Sequence, residues 1–161
     1  MLQPLRWNLA PHIHLQPPGA APGRLAPRVE KLQIQLVFTG FAAGKAALAT
    51  VGQYARDLGA RITIVAAQVV PYPLPLEKPP VDVGLLQRDL GALAAAQPVE
   101  TAVQIYLCRD AWETLRHALP RESTVIVSGP KRWWWPSAEQ RFAGRLRRDG
   151  HRVLFLNLQA A

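Results

Sequence analysis

The chain holds a single cysteine, Cys108, in 161 residues, so it can form no internal disulfide and offers no thiolate cluster for zinc. That cysteine reads as a small apolar filler at a strand end, and redox chemistry is not indicated. Acids are scarce too: 11 Asp and Glu against 19 Lys and Arg give a net charge of +8, a balance that suits anionic partners such as nucleotides, nucleic acid or acidic lipid without choosing among them. Much of the excess falls late, in Lys131, Arg132, Arg141, Arg145, Arg147, Arg148 and Arg152. No window reaches the roughly 18 to 20 apolar residues needed to span a bilayer, and no apolar run precedes a small-residue cleavage site near the start. These features predict a soluble, cytoplasmic protein without a transmembrane segment, long enough for one domain with its own core.

Proline is abundant but uneven. Pro4, Pro11, Pro17, Pro18, Pro22 and Pro27 crowd a stretch with no apolar period, so residues 1–30 read as a flexible arm and residues 31–159 as the folded domain. Leu5, Trp7 and Leu9 are the arm's only means of holding a partner or a membrane surface. Its His12 and His14 form an H-x-H pair with no further ligand nearby, which predicts no metal site.

From Lys31 to Leu76 the sequence writes out a strand, a helix and a strand. Leu32, Ile34 and Leu36 alternate with Gln33 and Gln35 before Leu36-Val37-Phe38, which predicts a strand half exposed at its start and buried at its end. Thr39-Gly40 turns the chain. Ala42, Ala46, Leu48, Ala49, Val51, Ala55 and Leu58 then predict the apolar face of a helix, Gly59 its stop, and Arg61 to Ala66 a β-branched strand. The proline-dense segment from Val70 to Pro80 cannot be regular structure.

Downstream, Asp82 is a helix cap before the stripe Leu85, Leu86, Leu90, Leu93 and Ala94. Val99 to Leu107 reads as an edge strand. Asp110 with Glu113 forms a capping box for a short helix that turns Ala111, Trp112, Leu115 and Leu119 to the sheet. Ser123 to Ser128 is a buried strand, Ser137 with Gln140 a second capping box for a helix to about Arg148, and Arg152 to Leu158 a last strand. Five strands alternating with four helices predict a three-layer α/β/α sandwich on a parallel sheet, of the Rossmann-like kind.

Several segments invite a chemical reading. Gly40-Phe41-Ala42-Ala43-Gly44-Lys45-Ala46 follows a strand and opens a helix, as a phosphate loop does, but it is one residue short of that motif and places Ala46 where a magnesium-holding hydroxyl is needed. Lys131-Arg132-Trp133-Trp134-Trp135-Pro136 is less ordinary, because three consecutive tryptophans cannot all reach one core from a loop. The tryptophans would plug the crevice at the sheet's carboxyl end, meet a protein or membrane, or stack on a base. No Ser, His and Asp spacing and no carboxylate pair indicates catalysis. Arg141, Arg145 and Arg148 form a solvated helix face, and none of the familiar nucleic-acid motifs accompanies them.

The order of elements, the phrase Leu58-Gly59-Ala60-Arg61-Ile62-Thr63-Ile64-Val65 leading to Val69-Val70-Pro71, and the late strand Val125-Ile126-Val127-Ser128-Gly129 resemble the universal stress protein family over about residues 31 to 159. The resemblance implies a nucleotide α-hydrolase-like sheet of order 3-2-1-4-5 and a homodimer formed through the last strand, Arg152 to Leu158. In the ATP-binding branch an aspartate usually ends the first strand and a G-x2-G-x9-G-[ST] motif follows the fourth. Here Thr39 stands at the aspartate position and Gly129 matches the first motif glycine, while Arg132 replaces the second, and Phe142 and Ala143 replace Gly-[ST]. Bulk at those positions fills space a triphosphate would use.

The expectation is therefore a divergent, non-enzymatic regulatory or stress-response binding module without a cofactor and without standard ATP binding. The alternative is an adenine-nucleotide or cyclic-dinucleotide sensor with an altered site built from Thr39, Gly40, Ser128, Gly129, Lys131 and Arg132. A nucleotide α-hydrolase-type enzyme ranks third, since its glycine-rich pyrophosphate loop is missing. Trp133, Trp134 and Trp135 are the expected contact for a protein partner.

Overall fold

The computed structural model describes residues 31–76, 82–130, 132 and 134–158. The arm with its His12 and His14, and also Lys131 and Trp133, lie outside the described residues. The elements run β1 (Gln33–Phe38), α1 (Phe41–Asp57), β2 (Arg61–Val69), α2 (Val83–Ala95), β3 (Thr101–Cys108), α3 (Ala111–Ala118), β4 (Thr124–Gly129), α4 (Ala138–Arg148) and β5 (Arg152–Asn157). The five strands form one sheet of order β3-β2-β1-β4-β5, parallel at every pairing, with β3 and β5 at its edges as expected. Each crossover carries a helix back over the sheet, so every strand points the same way and the loops that follow them gather at one end.

The strands divide their side chains between two cores. Ile34, Leu36, Phe38, Ile62, Ile64 and Ile126 pack with Leu48, Val51 and Ala55 of α1 and Leu90 of α2. On the opposite face Val37, Val65, Val125 and Val127 pack with Leu115 of α3 and with Phe142 and Leu146 of α4. Full burial of such side chains stabilises the fold by about 1.5–3 kcal/mol each.

The face of α1 differs from the expected one. Gly44, Ala47, Leu48, Val51, Gly52 and Ala55 are buried, whereas Ala42, Ala46 and Ala49 are not, and Leu58 is largely exposed. Glycines let the helix lie close on this side: Gly44 sits directly on the ring of Phe38 in β1, and Gly52 faces Gln97 and Pro98 after α2. Gln35, expected toward water, is 3% exposed, since β1 is the central strand and has neighbours on both sides. Leu85, expected in the stripe of α2, is half exposed.

The end signals hold where their hydrogen bonds do. Asp82 caps α2 through the amides of Gly84 and Leu85, and Gly59 and Gly150 take positive φ after α1 and α4, as helix-closing glycines do. Ser137 and Gln140 form a complete capping box. Asp110 accepts from the Glu113 amide, but the Glu113 carboxylate lies toward Arg116 and His117, so that box is half formed.

Candidate functional site

Because β1 and β4 are adjacent and parallel, Thr39 and Gly40 arrive beside Ser128 and Gly129 at the carboxyl end of the sheet, the ordinary ligand position of an open α/β fold. One bond ties them: the Thr39 hydroxyl donates to the Ser128 carbonyl at 3.1 Å. The Ser128 hydroxyl is fully buried and has no partner among the described residues, an uncommon state for a polar group. Gly40 is extended, at φ 166°, and begins α1 with no side-chain cap on its first amides.

The loop after β4 departs from a phosphate cradle. A Cβ on Gly129 would stand 2.9 Å from Cγ of Glu139, so the first turn of α4 brings a carboxylate side chain against the glycine that matches the motif. A carboxylate there opposes a phosphate both sterically and by charge. Arg132 is held at both ends of its peptide: its amide donates to Gln140 Oε1 at 3.0 Å, and its carbonyl accepts from Gln140 Nε2 at 3.4 Å. The Ser137 amide donates to the same Oε1 at 2.9 Å. One glutamine amide thus ties Arg132 to Ser137 across the base of the loop.

Trp134 and Trp135, in that loop, are 85% and 82% exposed. Neither of these two plugs the crevice; Trp133, the third tryptophan of that reading, lies outside the described residues. Phe142 is 2% exposed and packs against Trp112 with ring centroids 4.7 Å apart, in the core beneath α3 and α4. Lys45 is exposed on α1, and Arg141, Arg145 and Arg148 form the solvated face expected of them.

Sequence reasoning missed Arg109. Its guanidinium donates to the carbonyls of Val70 and Leu74, each at 2.6 Å, and lies 4.1 Å from the ring centre of Tyr72. The signal was present in the prolines after β2, which add carbonyls while removing amide donors, so a donor must come from elsewhere.

No chemistry of the nucleophilic kind gathers here. Cys108 is buried, its Sγ lies 3.6 Å from the Gln68 carbonyl, and burial pushes its thiol up from the ordinary range, with Asp110 acting in the same direction. Among the described residues no group of three or more His, Cys, Asp or Glu could hold a metal, and no helix is long and apolar enough to cross a membrane.

The sequence matches no protein-family model and no curated relative. Solved structures do match. A universal stress protein from Archaeoglobus fulgidus superposes with a TM-score of 0.53 at 10% identity, over 78% of this chain and 93% of its own. A protein of the universal stress protein family from Burkholderia pseudomallei gives 0.52 at 19%, over 78% and 96%. A universal stress protein in complex with cAMP aligns at 0.45 and 16%, over 78% and 96%. In strand order, crossover pattern and length of domain, the chain has the fold of the universal stress proteins.

Proposed function

We propose that the chain is a universal-stress-protein-like regulatory or stress-response binding module that does not hold ATP in the standard way and is not an enzyme. The observation that carries this reading is Glu139 against Gly129, with Arg132 following where a second glycine would be needed. A triphosphate laid along this loop would meet a carboxylate and a side chain where the family's pattern offers bare backbone. The exposed Trp134 and Trp135 are then the surface at which a protein partner docks. Pairing of two copies through β5 fits an edge strand whose Leu154 is 52% exposed.

A second reading keeps a nucleotide. The buried, unpartnered Ser128 hydroxyl and the uncapped start of α1 favour an adenine-nucleotide or cyclic-dinucleotide sensor with an altered site at Thr39, Gly40, Ser128, Gly129, Lys131 and Arg132.

Titration with ATP, AMP and cyclic dinucleotides while following tryptophan fluorescence separates the two. The first reading expects no saturable change. Saturable quenching that Arg132→Ala abolishes would overturn it in favour of the second. Sedimentation of wild type and Leu154→Asp tests the dimer: a monomer–dimer equilibrium shifted toward monomer by the substitution is expected, and a wild type that stays monomeric at high concentration removes the pairing.

A further inference from the structure

The opposite end of the sheet, where strands begin, carries a groove that the reading above does not use. Its origin lies in helix placement. On the face shared by Val37, Val65 and Val127, α3 packs on β2 and β3 while α4 packs on β4 and β5. The eight residues of α3 extend only about 12 Å, whereas a six-residue strand spans about 20 Å. The amino half of β1 is therefore left between the two helices, and an open groove of about 840 Å³ forms over it.

Gln33 and Gln35 line this groove, and Lys31, Arg61, Arg121 and Arg152 line it with them. Glu122 is the one acid among the lining residues. Arg61 has a partner outside the groove, Glu100 at 2.9 Å. Among the described residues no ion pair engages Lys31, Arg121 or Arg152, and all three are exposed. Gln35, only 3% exposed as a whole residue, borders the groove; its amide is not among the fully buried unpartnered polar atoms, so it is open to hydrogen-bond with a groove occupant.

We propose that this groove binds a linear oligophosphate. Three unpaired cations and a fourth already paired with Glu100 line the groove against one acid, and an anion of several charges relieves the repulsion among them. Guanidinium groups offer planar paired donors matched to phosphate oxygens. The lining contains no aromatic ring, so no base would be stacked and single-stranded nucleic acid is disfavoured. What is recognised is the phosphate chain, whether inorganic or the tail of a nucleotide.

The test is calorimetric titration of the full chain with inorganic tripolyphosphate, with ATP and with orthophosphate in about 20 mM salt, where surface charges are weakly screened. Saturable tripolyphosphate binding is expected, at least tenfold weaker in the Arg121→Gln/Arg152→Gln double variant and in Gln35→Leu, and unchanged in Arg132→Ala at the other end of the sheet. Equal displacement by ATP would assign recognition to the phosphate chain of either source, and preference for tripolyphosphate to the inorganic one. Both arginines are exposed, so far-UV circular dichroism should confirm an unaltered fold. Absence of saturable binding, or equal binding by the double variant, overturns the proposal. So does a nucleic-acid duplex that binds and is not displaced by tripolyphosphate.

Discussion

Glu139 packs its side chain against Gly129, with Cγ 2.9 Å and Cβ 3.0 Å from where a glycine Cβ would stand. The contact makes the glycine necessary for packing, independently of any phosphate. Gly129→Ala is expected to destabilise the chain by about 1–2 kcal/mol, as modest overpacking does. Glu139→Ala, which removes the Cγ contact but keeps the Cβ, should recover part of that loss in a double-mutant cycle read by urea unfolding. Equal destabilisation in both backgrounds would remove the contact from the account.

Gly44 in α1 and Gly40 at its N-cap should respond in opposite directions. A Cβ on Gly44 would lie 2.1 Å from Cε2 of Phe38, whereas nothing lies within 4 Å of one on Gly40. Gly44→Ala is expected to cost about 1–3 kcal/mol, with partial rescue by Phe38→Leu. Gly40→Ser adds a capping hydroxyl at an extended residue and narrows the unfolded ensemble, so it should stabilise by about 0.5–1 kcal/mol. Thermal unfolding of the two variants checks both signs.

Arg116 grips Asp149 with two bonds, Nε to Oδ2 at 2.5 Å and Nη2 to Oδ1 at 2.8 Å. The hydrogen bond from Arg116, aided by its charge, holds the Asp149 carboxyl below its ordinary value, against a smaller opposing push from desolvation. A depressed carboxylate contributes stability that is present above its unfolded value and lost as pH falls through the folded one. The stability difference between wild type and Asp149→Asn should therefore shrink between neutral pH and about pH 3, measured by urea midpoints. A gap that stays constant over that range would show that the pair contributes nothing through ionisation.

Arg109 should govern the order of the loop after β2. Arg109→Ala leaves the carbonyls of Val70 and Leu74 without their donor and Tyr72 without its cation. Faster amide exchange and proteolytic cleavage confined to residues 70–76 are expected, while Arg109→Lys should restore only part of the protection, because an ammonium cannot reproduce the fork. Unaltered exchange in Arg109→Ala would mean that the prolines alone fix the loop.

The strands themselves, the edge character of β3 and most helix ends were legible because they rest on short-range signals, whereas the sheet order came from the family resemblance. Capping residues act within a turn, and β-branched runs such as Val125 to Val127 have few alternatives to a buried strand. The face of α1 was misjudged because alanine and glycine scarcely differ in hydrophobicity, and its rotation is decided by how closely Gly44 approaches Phe38, a contact between two elements. Position in a motif could not show that Phe142 meets Trp112, because that partner belongs to a different helix. The role of Glu139 was invisible for the same reason: a first-turn acid ordinarily reads as helix-dipole complement, and only the fold brings it onto Gly129. At the carboxyl end, the local residues were legible while the contacts between distant elements were not.

A sheet in which all strands run one way has unlike ends. Here the tryptophan loop stands after β4 and the arginine groove before it, so about 20 Å of strand separates them. Occupants of the two would approach from opposite directions without touching. Were both proposed surfaces occupied, the domain would act as a spacer between an aromatic contact and an ionic one, and loss of either should leave the other intact.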